Sequence, residues 1–85
     1  MNSQNLQNKL RDKFLKKGVK MKGPETVFFS KDTKIGNNVE IEPYVVFADK
    51  VQIGNNVKIL SFSHLEGVKI DNNVCVGPYA RLCPG

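Results

Sequence analysis

The sequence predicts a mainly β fold: a short three-sided coil of about three turns, built from six-residue units and preceded by an N-terminal α-helix. Three observations predict it. A seven-residue stretch occurs three times, as IGNNVEI at Ile35 to Ile41, IGNNVKI at Ile53 to Ile59 and IDNNVCV at Ile70 to Val76, with starts 18 and then 17 residues apart. That period marks a supersecondary unit stacked on copies of itself. From Phe29 onward an apolar residue opens each hexad: Phe29, Ile35, Ile41, Phe47, Ile53, Ile59, Leu65, Ile70, Val76 and Leu82. Before most of these stands an in/out/in triplet such as Val39-Glu40-Ile41 or Val57-Lys58-Ile59, the period-two pattern of a very short strand.

The N-terminal element reads as a helix over about Ser3 to Lys17. Asn2 and Ser3 are capable caps, Leu6, Leu10 and Phe14 repeat at i, i+4, i+8, and Gly18 stands where a left-handed residue ends a helix. With Leu15 the apolar stripe is narrow, so the helix needs another surface to pack on. Residues 1–18 are thus a basic N-terminal helix. Residues 19–28 read as a connector, because Gly23-Pro24 breaks a helix and favours turns. Residues 29–85 form the coil.

Three hexads per turn place like on like. Ile35, Ile53 and Ile70 form one interior column, Val39, Val57 and Val74 a second, Ile41, Ile59 and Val76 a third, and Phe47, Leu65 and Leu82 a fourth. Asn37-Asn38, Asn55-Asn56 and Asn72-Asn73 recur at one corner, where asparagine tolerates left-handed backbone. Tyr44, Phe62 and Tyr79 recur at another, where flat rings stack between turns. The segment opened by Leu65 is one residue short. Since the triplet Val68-Lys69-Ile70 is intact, the deletion belongs in the corner around Glu66-Gly67.

Charge and composition narrow the function classes. The formal net charge is +5 over 85 residues. Residues 1–22 carry seven basic groups against Asp12, and residues 23–85 carry six basic against seven acidic. The chain is a basic arm on a nearly neutral body. A solvated helix face accounts for the arm better than a nucleic-acid site, since no aromatic residue is placed for base stacking, or a membrane site, since no apolar face is wide enough. No run of about 18 apolar residues spans a bilayer, and no secretory signal opens the chain. A cytoplasmic location is expected. Cys75 and Cys83 lack metal-ligand spacing and read as reduced thiols. A chain this short buries only about 60% of its unfolded surface, so association of copies is expected.

Candidate site residues are few. His64, the one histidine, points outward on the face of Val46 and Arg81 and reads as a surface residue. Glu40 and Lys58 are expected to neighbour one another a turn apart, worth at most about 1 kcal/mol when exposed. Arg81 is a candidate anion contact, against stacking on Tyr79 or an ion pair. Glu25, Asp32 and Asp71 show no metal-ligand pattern.

Repeats such as IGNNVE and VGPYAR resemble the hexapeptide-repeat acyltransferases, which implies a left-handed parallel β-helix. The run LRDKFLKKGVKMKGPETVFF, followed by IGNNVEIEPYVVF and VCVGPYARLCPG, resembles the junction inside the bacterial bifunctional UDP-N-acetylglucosamine pyrophosphorylase/glucosamine-1-phosphate N-acetyltransferases, over roughly residues 6 to 85. In that family a linker helix leads from a nucleotidyltransferase domain into a β-helix that trimerises, with acetyl-CoA and Mg²⁺ as cofactors. The resemblance implies a homotrimer here. It also implies that the catalytic histidine and its lysine, tyrosine and asparagine partners, which lie in later turns, have no counterpart before Gly85. The family's arginine that holds the sugar-nucleotide phosphate falls in an L-R-P-G segment that is Leu82-Cys83-Pro84-Gly85 here, so Cys83 replaces it. With the family's active centre in later turns, no cofactor is expected to be held by this chain. Three readings follow: a truncated or split fragment silent alone, one part of an enzyme completed by a separately encoded partner, or an interaction module with a nucleic-acid-binding helix. The first is preferred.

Overall fold

In a computed structural model the described residues are 3–84. Helix α1 spans Ser3–Lys17, the span the sequence predicts; the capping read for Asn2 and for the Ser3 side chain lies outside the described residues. Gly18, at φ +107°, ends it. The Gly18 N–H bonds the Leu15 carbonyl (3.1 Å) and the Val19 N–H the Phe14 carbonyl (3.0 Å), the paired closure of a Schellman end.

Among the described residues eleven strands of two or three residues follow. On the first face β1 (Lys20–Met21), β4 (Glu40–Ile41), β7 (Lys58–Ile59) and β10 (Cys75–Val76) stack in parallel. On the second, β2 (Val27–Phe28), β5 (Val45–Phe47), β8 (His64–Leu65) and β11 (Arg81–Leu82) do so, and on the third β3 (Lys34–Ile35), β6 (Gln52–Ile53) and β9 (Lys69–Ile70). The result is a parallel β-helix of three complete turns and two sides of a fourth.

The connector expected at 19–28 is therefore corrected: β1 and β2 make two sides of the first turn. Gly23-Pro24 misled because Pro24 opens a short 3₁₀ turn, Pro24–Thr26, at the corner between them. A corner has no ladder N–H for a proline to delete.

The interior is the set of columns expected. Ile41 stands on Ile59 and that on Val76, and Ile35 on Ile53 and that on Ile70. Phe29 and Phe47 stack with centroids 5.2 Å apart and planes 2° apart. Val27, Val45, Val51, Ile59 and Leu65 are wholly buried. The short segment loses its residue at the corner between β8 and β9, where Gly67 takes φ +60°; both flanking strands keep register.

Helix α1 closes one end of this coil. Leu10 and Phe14 are buried, and the Phe14 ring lies 4.7 Å from that of Phe29. Leu6 packs partly against the same core, whereas Leu15 is exposed. The helix also serves the end strands' free backbone groups. Gln7 donates to the Phe29 carbonyl (2.8 Å) and accepts from the Phe29 N–H (2.9 Å). Arg11, only 5% exposed, donates to the carbonyls of Val27 (3.0 Å) and Glu25 (3.2 Å) and lies 5.1 Å above the Phe28 ring. The Lys17 ammonium donates to the Ile35 carbonyl. An end that would otherwise template pairing is thereby covered. At the other end β9, β10 and β11 each have a ladder partner on one side only.

Candidate functional site

Because strands are so short, every outward side chain lies in a column one turn from the next. The first face presents Lys20, Glu40, Lys58 and Cys75, the second Phe28, Val46, His64 and Arg81, and the third Lys34, Gln52 and Lys69. The three faces carry mixed charge, an apolar-to-cationic gradient, and amide with lysine, respectively.

On the first face Glu40 meets Lys58 at 3.9 Å, as the register requires, and also Lys22 at 3.9 Å. Lys22 reaches Glu42 at 3.4 Å. The Ser61 backbone N–H, 3.1 Å from Glu42 Oε1, holds the Glu42 carboxyl below its ordinary pKa, with Lys22 and the Ser61 hydroxyl adding to the effect against partial desolvation. A carboxylate that accepts a backbone N–H is stabilised in its charged form. This cluster ties a corner and two turns together, and it brings no nucleophile next to a base.

On the second face Arg81 stands directly above His64, which stands above Val46. The His64 side chain is about half exposed, with Nε2 4.0 Å from Glu66 Oε1. Sequence reasoning placed His64 outward on this face but missed Glu66 as its neighbour; the i, i+2 spacing along β8, with Glu66 turned at the corner, was the available signal. Tyr44, Phe62 and Tyr79 run along the adjoining corner as a ladder with centroids 5.3 Å apart.

Cys83 follows β11 and carries an exposed thiol. Neighbouring Pro84 packs on Gly67, where a Cβ would approach the proline ring to 2.5 Å. Cys83 and Arg81 flank Leu82, and among the described residues no contact joins them to a common partner. A thiol lacks the planar, bidentate cationic fork that suits a phosphate. Cys75 is likewise exposed, opposite Lys58. Among the described residues no three His, Cys, Asp or Glu side chains come together as a metal-ligating group.

The basic arm is smaller than its charge count. Arg11 and Lys17 are spent on backbone carbonyls and Lys22 on carboxylates. The buried role of Arg11 was not legible, since it adjoins Leu10 on the helix and reads as one more surface charge.

Comparison with known proteins agrees with the coil. The family profile described as "Bacterial transferase hexapeptide (six repeats)" matches residues 32–67 and 50–84. The chain is 52% identical over 79 residues to the bifunctional protein GlmU of Zymomonas mobilis, which covers 93% of this chain and 18% of that protein. It is 55% identical over 76 residues to the bifunctional protein GlmU of Agrobacterium fabrum, covering 89% of this chain and 17% of the relative. Against that of Azorhizobium caulinodans the identity is 48% over 80 residues, covering 94% and 18%. The chain thus spans less than a fifth of the length of these relatives. With its repeats matched through residue 84 and stacked as three parallel faces, the chain belongs to the bacterial hexapeptide transferase family.

Proposed function

We propose that this chain is a self-associating β-helix module of the sugar-nucleotide acetyltransferase type, cytoplasmic and trimeric, that transfers no acetyl group by itself. The observation that carries the reading is the run of about 50% identity to bifunctional GlmU proteins along nearly the whole chain, with Cys83 where the family resemblance places a phosphate-holding arginine. Among the described residues no helix is long and apolar enough to cross a membrane. Purified chain incubated with acetyl-CoA and glucosamine-1-phosphate is expected to release no coenzyme A thiol above a protein-free blank. Measurable turnover contradicts the proposal.

A second reading has one observation in its favour. Among the described residues α1 covers one end of the coil, whereas β9, β10 and β11 have a ladder partner on one side only. A separately encoded partner that continues the coil would add strands there by β-augmentation. Affinity purification from the native cell would then recover a second hexapeptide-repeat chain in fixed ratio, and recovery of this chain alone rejects that reading. Nucleic-acid binding by α1 has less support, because the structure commits two of its cations to backbone carbonyls.

A further inference from the structure

We propose that the hollow between Phe62, His64, Tyr79, Ala80 and Arg81 binds a small organic anion, a sulfonate, carboxylate or phosphate group carried on a ring-shaped body. The proposal is independent of acetyl transfer. It starts from a guanidinium without a use. Among the described residues Arg81 has neither a hydrogen-bond nor an ion-pair partner, although every buried side-chain N or O has one. Its neighbour one turn below is His64. The nearest carboxylate, Glu66, is directed at His64 Nε2 at 4.0 Å and lies outside the lining of the hollow. The planar fork of Arg81 is thus left free at the edge of an open space of about 450 Å³.

The opposite wall is aromatic. Phe62 and Tyr79 are parallel to within 6° at 5.3 Å, and Tyr79, 74% exposed, ends the ladder. Both stacked rings line the hollow, their edges left open at the side of the ladder. Aromatic edges carry the positive end of the ring quadrupole, so they favour an anion and also contact an apolar ring. The same corner one turn earlier holds Tyr44 at φ +63°, so the ring ladder continues beyond the hollow. Phe62 and Tyr79 hold φ of +63° and +60°, a conformation that the other two corners of the same turns fill with asparagine, lysine or glycine. An anion on Arg81, with its ring against Phe62 and Tyr79, uses both walls at once.

The test is a titration of the full chain with benzenesulfonate, which keeps one charge over the working pH range, followed by amide NMR shifts. The expected shifts cluster at residues 62–64 and 79–81. Arg81→Gln weakens binding by at least about tenfold, as loss of a charge-assisted contact does. Arg81→Lys, which keeps the charge and loses the fork, falls between. Sulfate, without the ring, binds several-fold more weakly than benzenesulfonate. Unchanged affinity in Arg81→Gln overturns the site, as do shifts confined to Lys34, Lys50 and Lys69. Equal binding of sulfate overturns the assignment to ring-bearing anions. Protection of residues 62–64 and 79–81 by a neighbouring copy, with no response to ligand, also overturns it.

Discussion

Among the described residues, seven non-glycine residues hold positive φ, and all of them stand at corners: Asn38, Asn56 and Asn73 at one, Tyr44, Phe62 and Tyr79 at the next, and Lys50 at the third. The asparagines both tolerate the conformation and link turns, with Asn38 Nδ2 donating to Asn56 Oδ1 at 2.7 Å. Asn56→Ala is therefore expected to lower stability by about 1–2 kcal/mol through backbone strain and by further loss of that bond, read as the urea midpoint; Asn56→Gly is expected to cost less. Gly54 is a different case, required by closeness. A Cβ there would lie 2.4 Å from Asn72 Oδ1 and 3.0 Å from the Asn72 backbone nitrogen, where Asn72 Oδ1 accepts from the Asn55 N–H at 2.7 Å. Gly54→Ala is expected to destabilise by about 1–3 kcal/mol. Glu42 makes the pH-dependent contribution. Its pKa is lower folded than unfolded, so its stabilisation is present above the unfolded carboxyl range and is lost as pH falls through the folded value. Unfolding measured from pH 7 down to pH 3 should show the wild type losing more stability than Glu42→Gln, and equal acid slopes would reject the assignment. The asparagine corners were legible because they recur in register. The Glu42 contact was not, since it joins a side chain to a backbone N–H in the following turn.

At the scale of elements, the helix and the first turn stabilise one another. A narrow stripe on α1 was readable from Leu6, Leu10 and Phe14, and the structure shows its target: the Phe14 ring rests on Phe29, which rests on Phe47. Phe14→Ala is expected to cost about 3–5 kcal/mol and to loosen the first turn before the rest. Hydrogen exchange should then speed up at Lys20 and Lys34, whose N–H groups bond Val39 and Val51, before it does at Lys58. Simultaneous exchange throughout would place the plug's effect on the whole coil instead. Arg11→Ala leaves the Val27 and Glu25 carbonyls without their donor, a loss of about 1–3 kcal/mol; a change within 0.5 kcal/mol would contradict the capping role. The first turn escaped the sequence reading for a physical reason. Its strands pair as the others do, but Gly23-Pro24 at its corner carries the signal of a breaker, and Arg11 and Gln7 bond to backbone, which leaves no complementary side-chain pattern.

For the whole molecule, the interior columns were legible because a period of two along each strand and of three strands per turn puts every apolar residue on its counterpart. The surface was less so, because outward positions vary freely from turn to turn. Exposed apolar groups remain, Leu15 on the helix and Phe28, Tyr44, Phe62 and Tyr79 on the coil. For a chain of this size such surface favours association. The most direct test of the proposed self-associating module is the solution mass by sedimentation equilibrium over a range of concentrations. A mass three times that of the 9.5 kDa chain is expected. A single species at 9.5 kDa across that range would contradict it.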